Sequence, residues 1–424
     1  VGIRQARRKY VVNGLGFLVR SFFWKKSSHN RPNLFLMIRN YFKMASRSLS
    51  SNKATATINV LGLAIGLAAA LAILTVIRYE LSFDTFHSNT DRIYRMVRVS
   101  GSDMSEYRSG ISYPVPVAIK AEIPALEKIV SMEYFGGANL NVLDESGAIV
   151  SKFREEAGCV LLEPHFFKVF DFKGKEVKWI AGNPEKALIN PLSVVLTETI
   201  ARKYFGASDP IGRTLQFQMR INFTVTGVIQ DFPVNTDFPF KILMSYSSLS
   251  VLAGQDRLED WFSVNDTHQT FLVLPDDVAP AEMEKKIAQV HASHTPKDLH
   301  KFRHYLLQKF SDVHFDAKFG NFNMRTISRE TILALGIIGA FLLLTATINY
   351  INLSTAQSVL RAKEIGLRKV MGSNRRNLMI QFLTETFVVV LIAALVGLVV
   401  SEILLANFQS LFNIKLDSYN LTDP

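Results

Sequence analysis

Three apolar runs constrain this chain more than any other feature. They are residues 54–77 (ATATINVLGLAIGLAAALAILTVI), 331–353 (TILALGIIGAFLLLTATINYINL) and 378–405 (LMIQFLTETFVVVLIAALVGLVVSEILL). A helix needs about 20 mostly apolar residues to cross a bilayer, and each run has them. None carries Lys or Arg in its middle, where a charge costs most. One such run can be a buried core helix; three in one chain predict membrane spans. The first begins too far into the chain to be a removable signal peptide, and no small-residue cleavage pattern follows it. The single cysteine, Cys159, excludes an intrachain disulfide framework. Its apolar setting (AGCVLL) suits a small buried hydrophobe.

Charge predicts the topology. Of the net +11, residues 1–53 carry +12, with twelve Lys/Arg and no acid, and residues 354–377 carry +5, with six basic residues and Glu364, which leaves −6 for the rest. A basic chain can signal a nucleic-acid partner. Here the positive charge flanks the apolar runs, which is the positive-inside pattern, so membrane lipid is the expected surface and nucleic acid is not.

The expected organisation follows. Residues 1–31 form a basic helical prefix in the cytoplasm, and 32–53 form an amphipathic interfacial helix, with Leu36, Ile38, Tyr41, Phe42 and Met44 among Arg39, Lys43 and Arg47. Residues 54–78 are span one, 79–329 an extracytoplasmic domain, 330–353 span two, 354–377 a cytoplasmic loop, 378–406 span three and 407–424 an external tail. The start at Val1, inside a helical pattern, and the finish at LTDP read as cut ends.

The external part reads as mixed α/β. Strands are expected at 92–100, 129–135, 139–143, 148–154, 222–229, 270–274 and 302–310. Helices are expected at 115–122, 164–170, 198–204 and 279–291, with 193–196 leading into the third and Gly206 closing it.

No catalytic, cofactor or metal constellation stands out. The segment 206–214 (GASDPIGRT) has the wrong spacing for a phosphate loop and an Arg where Lys is needed, so it reads as a turn between helix and strand. His291, His294, His300 and His304, with Asp298, have Pro296 and basic residues interleaved and read as solvated loop histidines rather than a zinc site. Gly62 and Gly66 in span one form a small-xxx-small pair that lets another helix approach closely. Gln381 and Glu385 share one face of span three, at a depth where a carboxylate either has a role or reaches back to the interface.

Residues 361–376 (RAKEIGLRKVMGSNRR) are too polar for lipid yet patterned as a helix. Leu360, Ile365, Leu367, Val370 and Met371 form an apolar set beside Arg361, Lys363, Arg368, Lys369, Arg375 and Arg376, with Gly372 closing the helix. Charge alone is satisfied by a simple cytoplasmic tether. Ordered patterning around Glu364 suits docking into a partner's groove.

The segment 362–385 (AKEIGLRKVMGSNRRNLMIQFLTE) resembles the cytoplasmic-loop signature of FtsX-like permeases, the membrane subunits of MacB-type ABC exporters. MIRNYFKMASRSL with NVLGLAIGLA is similar to the family's leading helix and first span. ELSFDTFHSNTDRIYR (80–95), LTETIARKYFG, DPIGRTL and FTVTGVIQDFP are similar to motifs of its extracytoplasmic core domain, and residues 1–26 to a helical prefix of some members. The resemblance implies an α-helical transmembrane bundle, three of its four spans visible here, with a large α/β extracytoplasmic domain inserted between spans one and two. It implies no ATP site in this chain, a separate ABC ATPase partner, a second permease copy or second half of a longer chain, and in some members a periplasmic adaptor or outer-membrane channel. It also implies an inner-membrane location and mechanotransmission through the loop between spans two and three, with Lys363, Glu364, Ile365, Gly366, Leu367, Arg368 and Lys369 facing the ATPase. Some relatives instead control external cell-wall enzymes without moving cargo, and that alternative stays open.

Overall fold

The structure is a computed structural model that describes residues 53–126, 128–173, 177–297, 303–360, 362–371 and 375–412. The prefix, nearly all of the interfacial helix and most of the tail expected from the sequence lie outside these residues. The chain divides into two compact units. One comprises 1–72 with 339–406, and the other 73–338 with 407–424.

The first unit holds most of the apolar helices. Helix α1 spans Lys53–Leu81, α8 spans Arg329–Leu360 and α10 spans Arg375–Phe412, with the short α9 at Ala362–Val370 between the last two. All three long helices are apolar enough to cross a membrane, with mean hydropathies of 2.7, 2.3 and 2.9, yet only 17%, 17% and 33% of their apolar windows are buried within the chain. Apolar surface left outside the fold to that extent suits lipid or another apolar helix, not water. Small residues bring the helices together. A side chain at Gly66 of α1 would collide with Ala346 of α8, and one at Gly62 would stand 3.5 Å from Asn349 Nδ2. On α10, a Cβ at Gly397 would stand 3.1 Å from the Ala64 carbonyl oxygen.

Helix α8 runs past the predicted end of span two at residue 353, because STAQSVL contains no Gly or Pro to stop it. Helix α9 is shorter than the basic stretch that predicts it, and α10 starts before its apolar run.

The second unit is built on an eleven-stranded mixed sheet. Its order is β11 (Arg303–Lys309), β1 (Ile93–Ser100), β10 (His268–Val273), β3 (Ile129–Leu143), β4 (Ile149–Leu162), β9 (Ile242–Ser245), β6 (Ser193–Thr197), β8 (Ile221–Ile229) and β5 (Trp179–Gly182). Off this path, β2 (Glu106–Arg108) pairs with β1, and β7 (Thr214–Phe217) pairs with β3 and β8. The two parallel pairs are β4 with β9 and β6 with β8.

The two strands expected at 129–135 and 139–143 are one. The Gly136-Gly137 pair reads as a break in the sequence, but here it makes a bulge, with register shifts on both sides of Gly136 and a φ of +68° at that residue. Gly137 is required for a different reason: a Cβ there would press on the Glu155 and Glu156 carbonyls. The turn expected at 206–214 does join helix α4 (Glu198–Phe205) to β7. Strand β9 has no alternation to betray it, because all four of its residues are buried.

Phenylalanines fill the largest core. Phe166, Phe170, Phe172, Phe238, Phe240, Phe271, Phe310 and Phe322 are all buried in one cluster. Phe238 meets Phe166 and Phe170 edge-on, with ring centroids 5.3 and 4.7 Å away, as the ring quadrupoles favour. A second core packs helix α2 (Pro114–Glu122) and helix α7 (Pro280–His294) on the β1–β10–β11 end of the sheet, around Met96, Ile119 and Ile287.

Cys159 is fully buried in β4, and burial pushes its thiol up to about 12. The histidines depart from expectation. His291 is buried in α7, and His294 stacks on Trp261 with ring centroids 4.5 Å apart while its Nε2 lies 2.6 Å from Glu122 Oε1. Neither is a solvated loop residue, because α7 extends through both. His304 lies in β11, and His300 and Asp298 fall outside the described residues.

Candidate functional site

The core domain closes around a buried ionic junction, which lies wholly within its own unit. Helix α1 ends at Leu81, where the Ser82 hydroxyl and amide both return to the Tyr79 carbonyl. The chain then turns through Asp84, whose φ of +51° is a conformation that Asp tolerates better than most residues. This exit places Glu80 and Asp84 inside the domain, both buried.

Two loops meet them. From the β8–β9 loop, Thr236 Oγ1 donates to Asp84 Oδ1, the Asp237 amide donates to Asp84 Oδ2 at 2.9 Å, and Asn235 Nδ2 donates to the Ser82 carbonyl at 2.9 Å. From the segment between β11 and α8, His314 places Nε2 at 2.8 Å from Glu80 Oε2 and Nδ1 at 3.1 Å from Asp237 Oδ1. Arg325 pairs with the other Glu80 oxygen, and Asn321 Nδ2 donates to Asp237 Oδ1 at 2.8 Å. His314 also stacks on Phe83, with centroids 3.7 Å apart.

Both His314 nitrogens face carboxylate oxygens, an arrangement that suits an imidazolium donating to both, while burial, with the Asp84 charge, raises the Asp237 carboxyl above its ordinary value. Burial alone would push the His314 pKa down; the hydrogen bonds and charges of Asp237 and Glu80 outweigh burial and raise it to about 9. Nearby, the fully buried Arg95 guanidinium is held by Gln308 Oε1 at 3.0 and 2.6 Å, Gln269 Oε1 at 3.0 Å and the Gly320 carbonyl at 2.9 Å. Burial lowers its pKa to about 10, which leaves it charged at neutral pH. Arg329, in the first turn of α8, donates to Asp312 at 2.6 Å. The C-terminal turn of α1 and the approach to α8 are therefore fastened to one another and to the sheet.

In the sequence Glu80 stands just past span one and opens the motif ELSFDTFHSNTDRIYR, with nothing to mark it as buried. The missed signal lies in the loops: DFPVNTDFPF and DVHFDAKFGNFNMR interleave aromatics with acids, amides and His outside any strand pattern. Such a mixture marks polar groups that must be satisfied in a buried setting.

The residues singled out in the sequence fall elsewhere. Lys363, Gly366, Leu367 and Val370 of α9 are exposed and recur at i, i+3, i+4 and i+7, one face of the helix. Leu367 is 65% and Val370 87% exposed, while Ile365 is half-buried. The backbone of Glu364, Arg368 and Lys369 lies in the same helix. Gly62 and Gly66 face α8. Gln381 and Glu385 are half-buried, one turn apart on α10.

Comparison with known proteins places this architecture. The MacB-like periplasmic core domain matches residues 56–290, and the FtsX-like permease C-terminal domain matches 336–423. The chain is 26% identical over 396 residues to the macrolide export ATP-binding/permease protein MacB of Wolinella succinogenes, covering 90% of this chain and 55% of that protein. It is 24% identical over 374 residues to the MacB of Bdellovibrio bacteriovorus, covering 83% of this chain and 52% of that protein. The chain thus spans about half the length of the curated relatives it matches. Among solved structures, a domain of a Porphyromonas gingivalis permease protein aligns at 21% identity and a TM-score of 0.43, covering 59% of this chain and 99% of that domain. The periplasmic region of MacB from Actinobacillus actinomycetemcomitans aligns at 17% identity and a TM-score of 0.35, covering 57% of this chain and 95% of that region. With its apolar helices joined to a core domain of this kind, the chain belongs to the FtsX-like ABC transporter permeases that carry a MacB-like periplasmic core domain.

Proposed function

We propose that this chain is the permease part of an ABC-type exporter or mechanotransmission complex, driven by ATP hydrolysis on a separate ATPase. Helix α9 is the docking element, with Lys363, Glu364, Ile365, Gly366, Leu367, Arg368 and Lys369 toward the ATPase. The observation that carries this reading is the exposed face of α9. Leu367 and Val370 lie open on a short cationic helix between two membrane-spanning ones. An amphipathic helix with an unpartnered apolar stripe suits a groove on a partner.

In this reading the positive flanks stand in the cytoplasm, the core domain stands in the periplasm, and the spans lie in the inner membrane. A second permease copy, or the second half of a longer chain, packs beside these helices. Lipid surrounds it, and a periplasmic adaptor or outer-membrane channel receives the motion. A push on α9 moves α8, a continuous helix back to Arg329, and the Arg329–Asp312 pair and the Glu80 junction pass the motion into the sheet.

The test is co-purification of the ATPase with the intact complex. Glu364→Lys and Arg368→Glu are expected to reduce the co-purifying ATPase about tenfold, the effect of one lost charged contact. Unchanged association for both variants defeats the docking role.

A further inference from the structure

At the β11–β1–β2 end of the sheet, register brings positive charge together. Arg98 of β1 lies opposite Tyr305 of β11 and Arg108 of β2, and Ser100 lies opposite Arg303 and Glu106. Residues two apart on a strand share a face, so both rows project to one side. That side also carries Met96, which packs against α2 and α7. Ser112, just before α2, has its hydroxyl near the Tyr305 phenol without a formed hydrogen bond.

The donors of this group are unspent. Arg98 is only 8% exposed, yet its Nε and Nη1 have no hydrogen-bond partner. The same holds for Arg303 Nη1, Tyr305 Oη and Ser112 Oγ, all buried atoms. Of the acids in reach, Glu106 stands on the same face and accepts from Ser100 Oγ at 3.0 Å through Oε2, and Asp266 pairs with Arg108 at 2.8 Å. Among the described residues, neither Arg98 nor Arg303 has an ion pair. Burial and then repulsion from Arg303 act against the Arg98 charge, ahead of the attraction of Glu106. Two neighbouring guanidinium groups with vacant donors and no ion pair among the described residues leave room for a further anion.

We infer that Arg98, Arg303, Tyr305 and Ser112 form a binding site for a phosphate group. Four donors converging from two strands and a helix approach suit a tetrahedral oxyanion, which accepts along several directions at once. Arg303 is half-buried and Arg108 largely exposed, so the arginines lead from the surface inward. Arg303 also lies over the Phe262 ring, 5.7 Å from its centroid, which places an apolar wall beside the charge. A phosphate free in solution and one carried on a lipid both meet this chemistry.

The experiment uses the full chain in detergent and follows thermal unfolding by intrinsic fluorescence. Inorganic phosphate is titrated against sodium chloride at matched ionic strength. Phosphate is expected to raise Tm saturably where chloride does not. Arg303→Gln and Arg98→Met each raise the half-saturating phosphate concentration about tenfold or more, the loss of one charged hydrogen-bonding partner. Arg303→Gln tests a half-buried position and keeps the result readable if Arg98→Met fails to fold. A parallel titration with dihexanoyl phosphatidic acid separates the sources. Half-saturation at about tenfold lower concentration than inorganic phosphate assigns the site to lipid headgroups, and equal half-saturation assigns it to free phosphate. A phosphate response no larger than that of chloride, or one unchanged in Arg303→Gln, overturns the site.

Discussion

His314 Nε2 lies 2.8 Å from Glu80 Oε2, a hydrogen bond between residues 234 positions apart. One partner belongs to the last turn of α1 and the other to the segment that leads into α8. Because both are buried, the bond has little competition from water, and the two ends of the core domain are held as one piece.

Removing the Glu80 charge leaves His314 and Arg325 short of an anion in a buried setting. Glu80→Gln is expected to destabilise the core domain by about 3–5 kcal/mol, as breaking a buried ion pair does. Urea unfolding of the detergent-solubilised chain measures it. A loss below about 1 kcal/mol shows that the junction is not a stability element.

The same junction sets a pH dependence. The folded value for His314, about 9, lies above its ordinary 6.5, so the stabilisation is fully present below pH 6.5 and is lost as pH rises through about 9. The His314 shift corresponds to at most about 3 kcal/mol, and the raised carboxyl of Asp237 in the same pair works against it. His314→Asn removes the titration and is expected to flatten stability over this window. A wild-type profile that is already flat between these values rules out the shared imidazolium.

Small residues in the membrane-spanning helices decide how closely they pack. Gly66→Leu drives a side chain into Ala346 and is expected to cost about 1–3 kcal/mol or to abolish folded yield. Gly336→Ala is the control: its nearest neighbour is Ile77 Cδ1, at 3.9 Å, an ordinary contact. Size-exclusion yield in detergent compares the two, and equal losses mean that close approach at Gly66 is not the cause.

Cys159 is expected to resist maleimide in the native protein and to react fully once unfolded. Its thiol is buried and pushed up to about 12, so little thiolate forms at neutral pH. Labelling measured by mass spectrometry checks this, and rapid native labelling contradicts the burial of β4.

What was legible in the sequence is what depends on near neighbours. Span recognition sums hydropathy over about 20 consecutive residues, so α1, α8 and α10 stand out whatever the rest of the chain does. Strand β8 shows in its own alternation, and helices α2 and α7 in their opening prolines. Tertiary structure decided the rest, because the deciding partners are distant. The Gly136-Gly137 pair looks like an end until β4 shows that it is a bulge. Strand β9 has no pattern of its own and exists by lying parallel to β4. Glu80 reads as a polar residue just past span one, and only the return of His314 and Arg325 buries it within the core domain. The vacant donors of Arg98 and Arg303 likewise exist only through strand register, since no local rule places residues of β1 and β11 on one face.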